Sequence, residues 1–185
     1  MLWQRTAAGF TAGQQRELGG GLGRAVPRRL VGAGPRHRRG AGGAASAVLC
    51  ALIDAGVARI DLRNRSADRA EGLRRRVDPT GVIVTLVSVE DSAHERRYDV
   101  IINATSLGRS DTDALPMDLT TTQTPGVVLD VVYRTGGTKF VQAAEALGIT
   151  AVDGREMLVA QGAAAFERWW NVPAPISVMR ETLGL

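Results

Sequence analysis

The chain has 185 residues, 44% hydrophobic and 23% charged, with 22 glycines and a formal net charge of +4. That length supports one well-buried domain, or one domain with extra arms, and no apolar run approaches the roughly 20 residues of a membrane span. The single cysteine, Cys50, excludes an internal disulfide, and the arginine-rich N-terminus lacks an apolar signal core, so the expected location is a reducing cytoplasm with no membrane partner.

Residues 1–39 are expected to be irregular. Gly19 to Gly21 and the run Arg36-His37-Arg38-Arg39 read as linker, no period is sustained, and His37 reads as incidental and solvent-facing. From Ala44 onward strand and helix patterns alternate. Residues 44–55 form a helix pattern that Gly56 closes, and Cys50 inside it reads as a buried structural thiol. Residues 58–63 predict a strand and 66–76 a helix capped by Ser66. The β-branched run 82–87 suits a strand buried on both faces, and 100–103 and 127–132 are two more such runs. A helix over 137–147, a short strand at 150–152 and a helix over 156–170 follow. Pro173 and Pro175 interrupt, and 176–183 is a final helix. The alternation predicts an α/β fold, a doubly wound parallel sheet with helices on both faces, occupying residues 40–185. No internal repeat is visible.

Almost every cation is arginine; Lys139 is the only lysine. The clusters at 36–39 and 74–76 are not interleaved with aromatics, and aromatic residues reach only 4%, so stacking on bases has little to use. These arginines read as solvated surface, and no nucleic-acid partner is expected. No metal-ligand pattern is assigned.

Gly40-Ala41-Gly42-Gly43-Ala44-Ala45 stands directly before the first helix pattern. Read as G-x-G-x-x-A, it gives Gly40 a tight turn, lets Gly42 approach a pyrophosphate, and lets Ala45 pack a helix closely on a sheet. The helix N-terminus adds free N–H donors and positive potential. Such a loop should follow an apolar strand, yet Pro35 to Arg39 stand there, so the first strand is expected to be degraded. An alternative runs Leu30-Val31 as a stunted strand into Gly32-Ala33-Gly34. The second strand pattern ends in Asn64-Arg65-Ser66, with Arg69 one turn further on. A carboxylate there would read a ribose 2′-hydroxyl; two guanidinium groups four residues apart suit a 2′-phosphate, so NADP is expected over NAD.

From Gly40 to the C-terminus the chain resembles shikimate dehydrogenase, a family with a Rossmann-like cofactor domain. The glycine loop with Asn64-Arg65-Ser66-Ala67-Asp68-Arg69-Ala70 is similar to that family's GAGGA and NRTxxRA pair, which glutamyl-tRNA reductases share. Asp99-Val100-Ile101-Ile102-Asn103-Ala104-Thr105-Ser106-Leu107-Gly108 resembles D-x-I-I-N-A-T-S-x-G, and Asp130-Val131-Val132-Tyr133 followed by Thr138 resembles D-x-x-Y…T. Asp153-Gly154-Arg155-Glu156-Met157-Leu158-Val159-Ala160-Gln161, then Phe166 and Trp169, resembles D-G-x-x-M-L-x-x-Q…F…W, which disfavours the glutamyl-tRNA reductases.

The resemblance implies reduction of 3-dehydroshikimate to shikimate with NADPH, in chorismate and aromatic amino acid biosynthesis. It implies a cofactor site of Gly40, Ala41, Gly42, Gly43, Ala44, Asn64, Arg65, Ser66, Arg69, Asn103, Thr105, Val131 and Gly154. Val131 and Gly154 would approach the nicotinamide by backbone, Tyr133 would border the substrate, and Gln161 would hydrogen-bond a substrate hydroxyl. Phe166, Trp169 and Trp170 read as core and rim residues at the helical spacing of a packing stripe. No catalytic residue is assigned: the family's proton-transfer lysine and its aspartate belong to a preceding substrate domain of about a hundred residues. Thr6-Ala7-Ala8-Gly9-Phe10 resembles the tail of its N-T-D-x-x-G-F with Thr6 in place of the aspartate, and residues 10–18 are family-like again. The expectation is a truncated coding sequence, wholly or partly out of frame through Arg39. The alternatives are a non-catalytic NADP(H)-binding remnant and one half of a split enzyme. Quinate or aminoshikimate specificity stays open, as does the oligomeric state.

Overall fold

The computed structural model describes residues 30–34, 42–88, 97–110 and 112–185. Six strands form one sheet: β1 (Leu30–Gly34), β2 (Ile60–Asn64), β3 (Val84–Val87), β4 (Val100–Asn103), β5 (Val127–Asp130) and β6 (Thr150–Val152). Their order is β3-β2-β1-β4-β5-β6 and every pairing is parallel. Parallel neighbours need long crossovers. Among the described residues they run through helices α1 (Gly42–Asp54), α2 (Ala67–Val77) and α3 (Lys139–Ala146), and between β4 and β5 through a segment that holds a 3-10 turn at Leu119–Thr121.

Alternation along the strands sorts the core onto two faces. Ile60, Leu62, Val84 and Ile102 pack with Ala45 and Leu49 of α1 and with Ala70 and Leu73 of α2. Ile101, next to Ile102, and Val128, next to Leu129 of the first face, point the other way and pack with Phe140 and Ala144 of α3, Tyr98 and Leu119. Asp61 shares that second direction. Fully buried, it accepts hydrogen bonds from Arg59 Nε at 2.9 Å and from the Tyr98 hydroxyl at 3.2 Å.

The predicted fold is therefore the observed one, with corrections inside it. The segment expected to be irregular through residue 39 contains β1, which is central in the sheet and pairs with β2 and β4. Of the two readings of the first strand, the one starting at Leu30-Val31 is the one the structure adopts. Pro35 to Arg39 follow the strand and lie outside the described residues, as do His37, Thr6 and residues 10–18. The run 82–87 is not buried on both faces. Val82 precedes the strand and is 78% exposed, and within β3 only Val84 is buried while Thr85 is exposed. Being an edge strand, β3 has a neighbour on one side only.

Cys50 is exposed, not buried. The inward stripe of α1 runs through Ala45 and Leu49, and one further residue turns Cys50 about 100° away from Leu49.

The turn between α2 and β3 is organised by a single carboxylate. Asp78 Oδ1 accepts from Thr80 Oγ1 at 2.7 Å and Gly81 N at 3.1 Å, and Oδ2 from Ile83 N at 2.9 Å and Val84 N at 2.8 Å. These donors hold its pKa down at about 2. On α2, Arg74 and Arg75 both pair with Glu71, at 2.7 and 2.6 Å, so part of the 74–76 cluster is neutralised locally.

The chain divides into two compact units at Asp153/Gly154. The second contains α4 (Arg155–Trp170) and α5 (Ile176–Thr182), with Asn171 reversing the chain in the left-handed region at φ 51°. Arg155 donates to the carbonyls of Leu183 and Gly184 at 3.2 and 3.4 Å, and Arg180 pairs with Glu156 at 2.9 Å. The expected packing stripe on α4 is corrected: Phe166 is half-buried, its ring 6.5 Å from that of Trp170, but Trp169 and Trp170 are 77% and 67% exposed. The inward positions of the helix are Val159 and Ala163, and the two tryptophans lie on its last turn, beyond them. Among the described residues, no helix is long and apolar enough to cross a membrane.

Candidate functional site

Strand β1 has β2 on one side and β4 on the other, so chain order reverses across it. At such a switch point the loops leaving the two neighbouring strands diverge to opposite faces and leave a crevice outside the carboxyl ends. The register brings the segments singled out in the sequence to that edge. Gly34 at the end of β1 is level with Asn64 at the end of β2, Ala33 with Asn103 on β4, and Asn103 with Asp130 on β5.

Gly40 and Ala41 lie outside the described residues. Helix α1 begins at Gly42, and the first N–H groups of a helix have no acceptor within the helix itself. Gly43 is exposed, Ala44 is half-buried and Ala45 is buried; the structure thus places Gly42 to Ala45, expected to be loop, in the first turn of α1, with Ala45 on its packed side. Among the described residues, a Cβ added at Gly43 would meet no atom within 4 Å.

After β2, Asn64 Oδ1 accepts from Ser66 N at 3.2 Å and Ser66 Oγ accepts from Arg69 N at 3.5 Å, capping α2 as predicted. This turn leaves Arg65 and Arg69 exposed. Among the described residues neither enters an ion pair, in contrast to Arg74 and Arg75 further along the same helix.

A buried polar network lies beneath the ends of β4 and β5. Asn103 Nδ2 donates to Asp130 Oδ1 at 2.8 Å and to the Leu107 carbonyl at 3.0 Å. Its Oδ1 accepts from Thr105 N at 3.0 Å and Thr105 Oγ1 at 2.6 Å, while Leu107 N donates to Thr105 Oγ1 at 2.9 Å. Asp130 also accepts from Val132 N at 3.0 Å and from Thr138 Oγ1 at 2.7 Å. Thr138 Oγ1 in turn caps α3, accepting from Val141 N at 3.3 Å. Burial pushes the Asp130 carboxyl up to about 6. The hydrogen bonds from Thr138, Val132 and Asn103 oppose that rise, and the nearby charge of Asp153 adds to it.

Asn103 and Thr105 thus belong to one network, and Val131 N donates to the Asn103 carbonyl at 2.9 Å. Tyr133 emerges beyond it, 52% exposed. Gly154 precedes α4 as its cap and Gln161 is half-buried within that helix; both lie in the second unit. Two members of the network, Asp130 and Thr138, received no role from the sequence. A polar residue closing an otherwise apolar strand run was the available signal.

Comparison with known proteins gives a consistent set of relatives. Residues 154–183 match the family model of the Shikimate 5'-dehydrogenase C-terminal domain. A shikimate dehydrogenase (NADP(+)) of Maricaulis maris is 40% identical over 136 residues, 74% of this chain and 48% of that protein. Among solved structures, shikimate dehydrogenase from Aquifex aeolicus superposes with a TM-score of 0.75 at 27% identity, covering 96% of this chain and 60% of the other. Shikimate 5-dehydrogenase from Thermus thermophilus, in complex with NADP(H) and shikimate, gives 0.70 at 30% identity, covering 95% and 60%. The chain spans about half the length of the curated relatives it matches.

Proposed function

Since the chain is related in sequence and fold to the shikimate dehydrogenases over about half of their length, we propose that it binds NADP(H) and serves the reduction of 3-dehydroshikimate to shikimate. One observation carries this reading. The N-terminus of α1 and two exposed arginines, without ion-pair partners among the described residues, stand at the carboxyl ends of β1 and β2, beside the switch point of the sheet.

In this reading residues 40–185 act as the NADP-binding part of a cytoplasmic protein. The backbone of Gly40, Ala41, Gly42, Gly43 and Ala44 receives the pyrophosphate, whose charge the N–H donors of α1 complement. Asn64 and Ser66 hold the turn that presents Arg65 and Arg69 to the 2′-phosphate, where each guanidinium offers paired donors. Asn103, Thr105 and the backbone of Val131 border the nicotinamide. Tyr133 faces the substrate. The bound dinucleotide supplies or accepts the hydride. The residues assigned here bind and orient, and none of them moves the substrate proton.

Nucleotide preference tests the reading directly. The chain should bind NADPH more tightly than NADH, and Arg65→Ala with Arg69→Ala should erase the difference. Charge-assisted hydrogen bonds to one phosphate are worth about 1.5–3 kcal/mol each. Equal affinity of the unmodified chain for both nucleotides, by fluorescence titration, would rule the assignment out.

A further inference from the structure

The buried network at the ends of β4 and β5 contains a carboxylate that the cofactor reading leaves without a task. Asp130 is fully buried, as is Thr138, and Asn103 is 1% exposed. A charge-bearing group in such a place is costly unless hydrogen bonds hold it. Three donors reach Asp130 from three different segments: Asn103 at the end of β4, Val132 after β5, and Thr138 at the start of α3. The bonds are 2.7 to 3.0 Å long. Gly108, with φ at +92°, brings the β4 loop back over the same carboxylate, and a Cβ there would stand 3.7 Å from Asp130 Oδ2. Asn103 cannot turn its amide without losing Asp130, Leu107 and Thr105 together. The β4 loop and the β5 loop are therefore fixed to each other through one side chain.

We infer that Asp130 is a positioning residue: it locks the loop carrying Asn103 and Thr105 to the loop carrying Val131 and Tyr133, and so sets the nicotinamide side of the dinucleotide site. This rests on the NADP(H) reading above. A distant structural support would weaken every ligand alike, or none. A clamp confined to this end should act on one half of the dinucleotide only, because the adenosine-side groups Arg65 and Arg69 hang from β2 and α2, outside the network.

The test compares NADPH with 2′,5′-ADP, which lacks the nicotinamide half, in calorimetric titrations of the whole chain. Asp130→Ala should weaken NADPH by about tenfold, the scale of one lost hydrogen bond to a charged group, and leave 2′,5′-ADP unchanged. Asp130→Asn retains one acceptor oxygen for Asn103 and Val132 and should recover most of the loss. Should the alanine variant not fold, Thr138→Val, which removes one arm of the clamp, should show the same selective loss at smaller amplitude. Equal weakening of both ligands, or unchanged NADPH affinity in folded variants, overturns the clamp alone. Failure of the unmodified chain to bind either compound overturns the cofactor reading and the clamp's role with it.

Discussion

Asp78 and Asp130 are both buried carboxylates, and their surroundings drive them in opposite directions. Asp78 is met mainly by backbone N–H groups and a hydroxyl in a tight turn, and its pKa falls from 3.8 to about 2. The stability it contributes is present above pH 3.8 and is lost as the pH falls through about 2. For Asp130 desolvation dominates and the pKa rises to about 6. Its contribution is complete below pH 3.8 and is lost as the pH rises through about 6, with Asp153 the neighbouring charge that adds to the loss. Measured by urea midpoint, the advantage of the unmodified chain over Asp78→Asn should shrink on acidification from pH 4 to 2. Its advantage over Asp130→Asn should shrink from pH 4 to 7. Parallel pH curves for the chain and either variant would contradict the corresponding assignment.

At the scale of elements, two glycines outside any special backbone conformation should respond oppositely to alanine. Gly126 leads into β5, where an added Cβ would lie 2.8 Å from the Asp99 carbonyl oxygen. That oxygen accepts from Val127 N at 3.0 Å as the β4–β5 ladder begins, and it cannot retreat without pulling the strands apart. Gly126→Ala should cost about 1–3 kcal/mol in denaturant unfolding. Gly72 is exposed within α2, and an added Cβ meets nothing within 4 Å. Gly72→Ala should stabilise by about 0.5–1 kcal/mol, since only the unfolded chain loses freedom. The same sign for both substitutions would show that the strand approach at Gly126 is less tight than drawn.

For the whole molecule, the question is turnover. Oxidising an alcohol requires a group to take the hydroxyl proton, a contribution of about 10²–10⁴-fold, and orientation of the reacting partners is worth about 7–11 kcal/mol more. Lys139, the only lysine, opens α3 directly after Thr138 and is not among the residues placed around the substrate. The purified chain is expected to show no measurable NADP-dependent oxidation of shikimate, or of quinate, in a spectrophotometric assay. Turnover restored by a separately supplied substrate domain would show that these residues orient the cofactor productively and that the proton-transfer group can come from outside them. Robust turnover by the chain alone, abolished by Lys139→Ala, would overturn this account.

Local patterns determined much of the protein before any folding was considered. A β-branched apolar run marked β4 and a short strand pattern marked β6 to the residue, and a serine before a helical pattern marked the cap of α2. These are short-range signals, set by side-chain type and by the unmet N–H groups of a first helical turn. The parallel sheet followed from their alternation, and the candidate nucleotide residues from glycine and arginine spacing. Strand partnership is a non-local property, and only the tertiary structure decided it. Leu30–Gly34 is short and glycine-rich, with little pattern of its own, and becomes the centre of the sheet because β2 and β4 complete its hydrogen bonds on both sides. The run 82–87 looked doubly buried because apolar composition does not reveal which face another layer covers. Cys50, Trp169 and Trp170 were misplaced for the same reason: helical spacing gives a stripe, but the partner surface decides which stripe turns inward. The members of the Asp130 network were visible as separate motif residues, but their bonding was not, since its donors come from positions 103, 132 and 138 and meet only when the ends of β4 and β5 stand side by side.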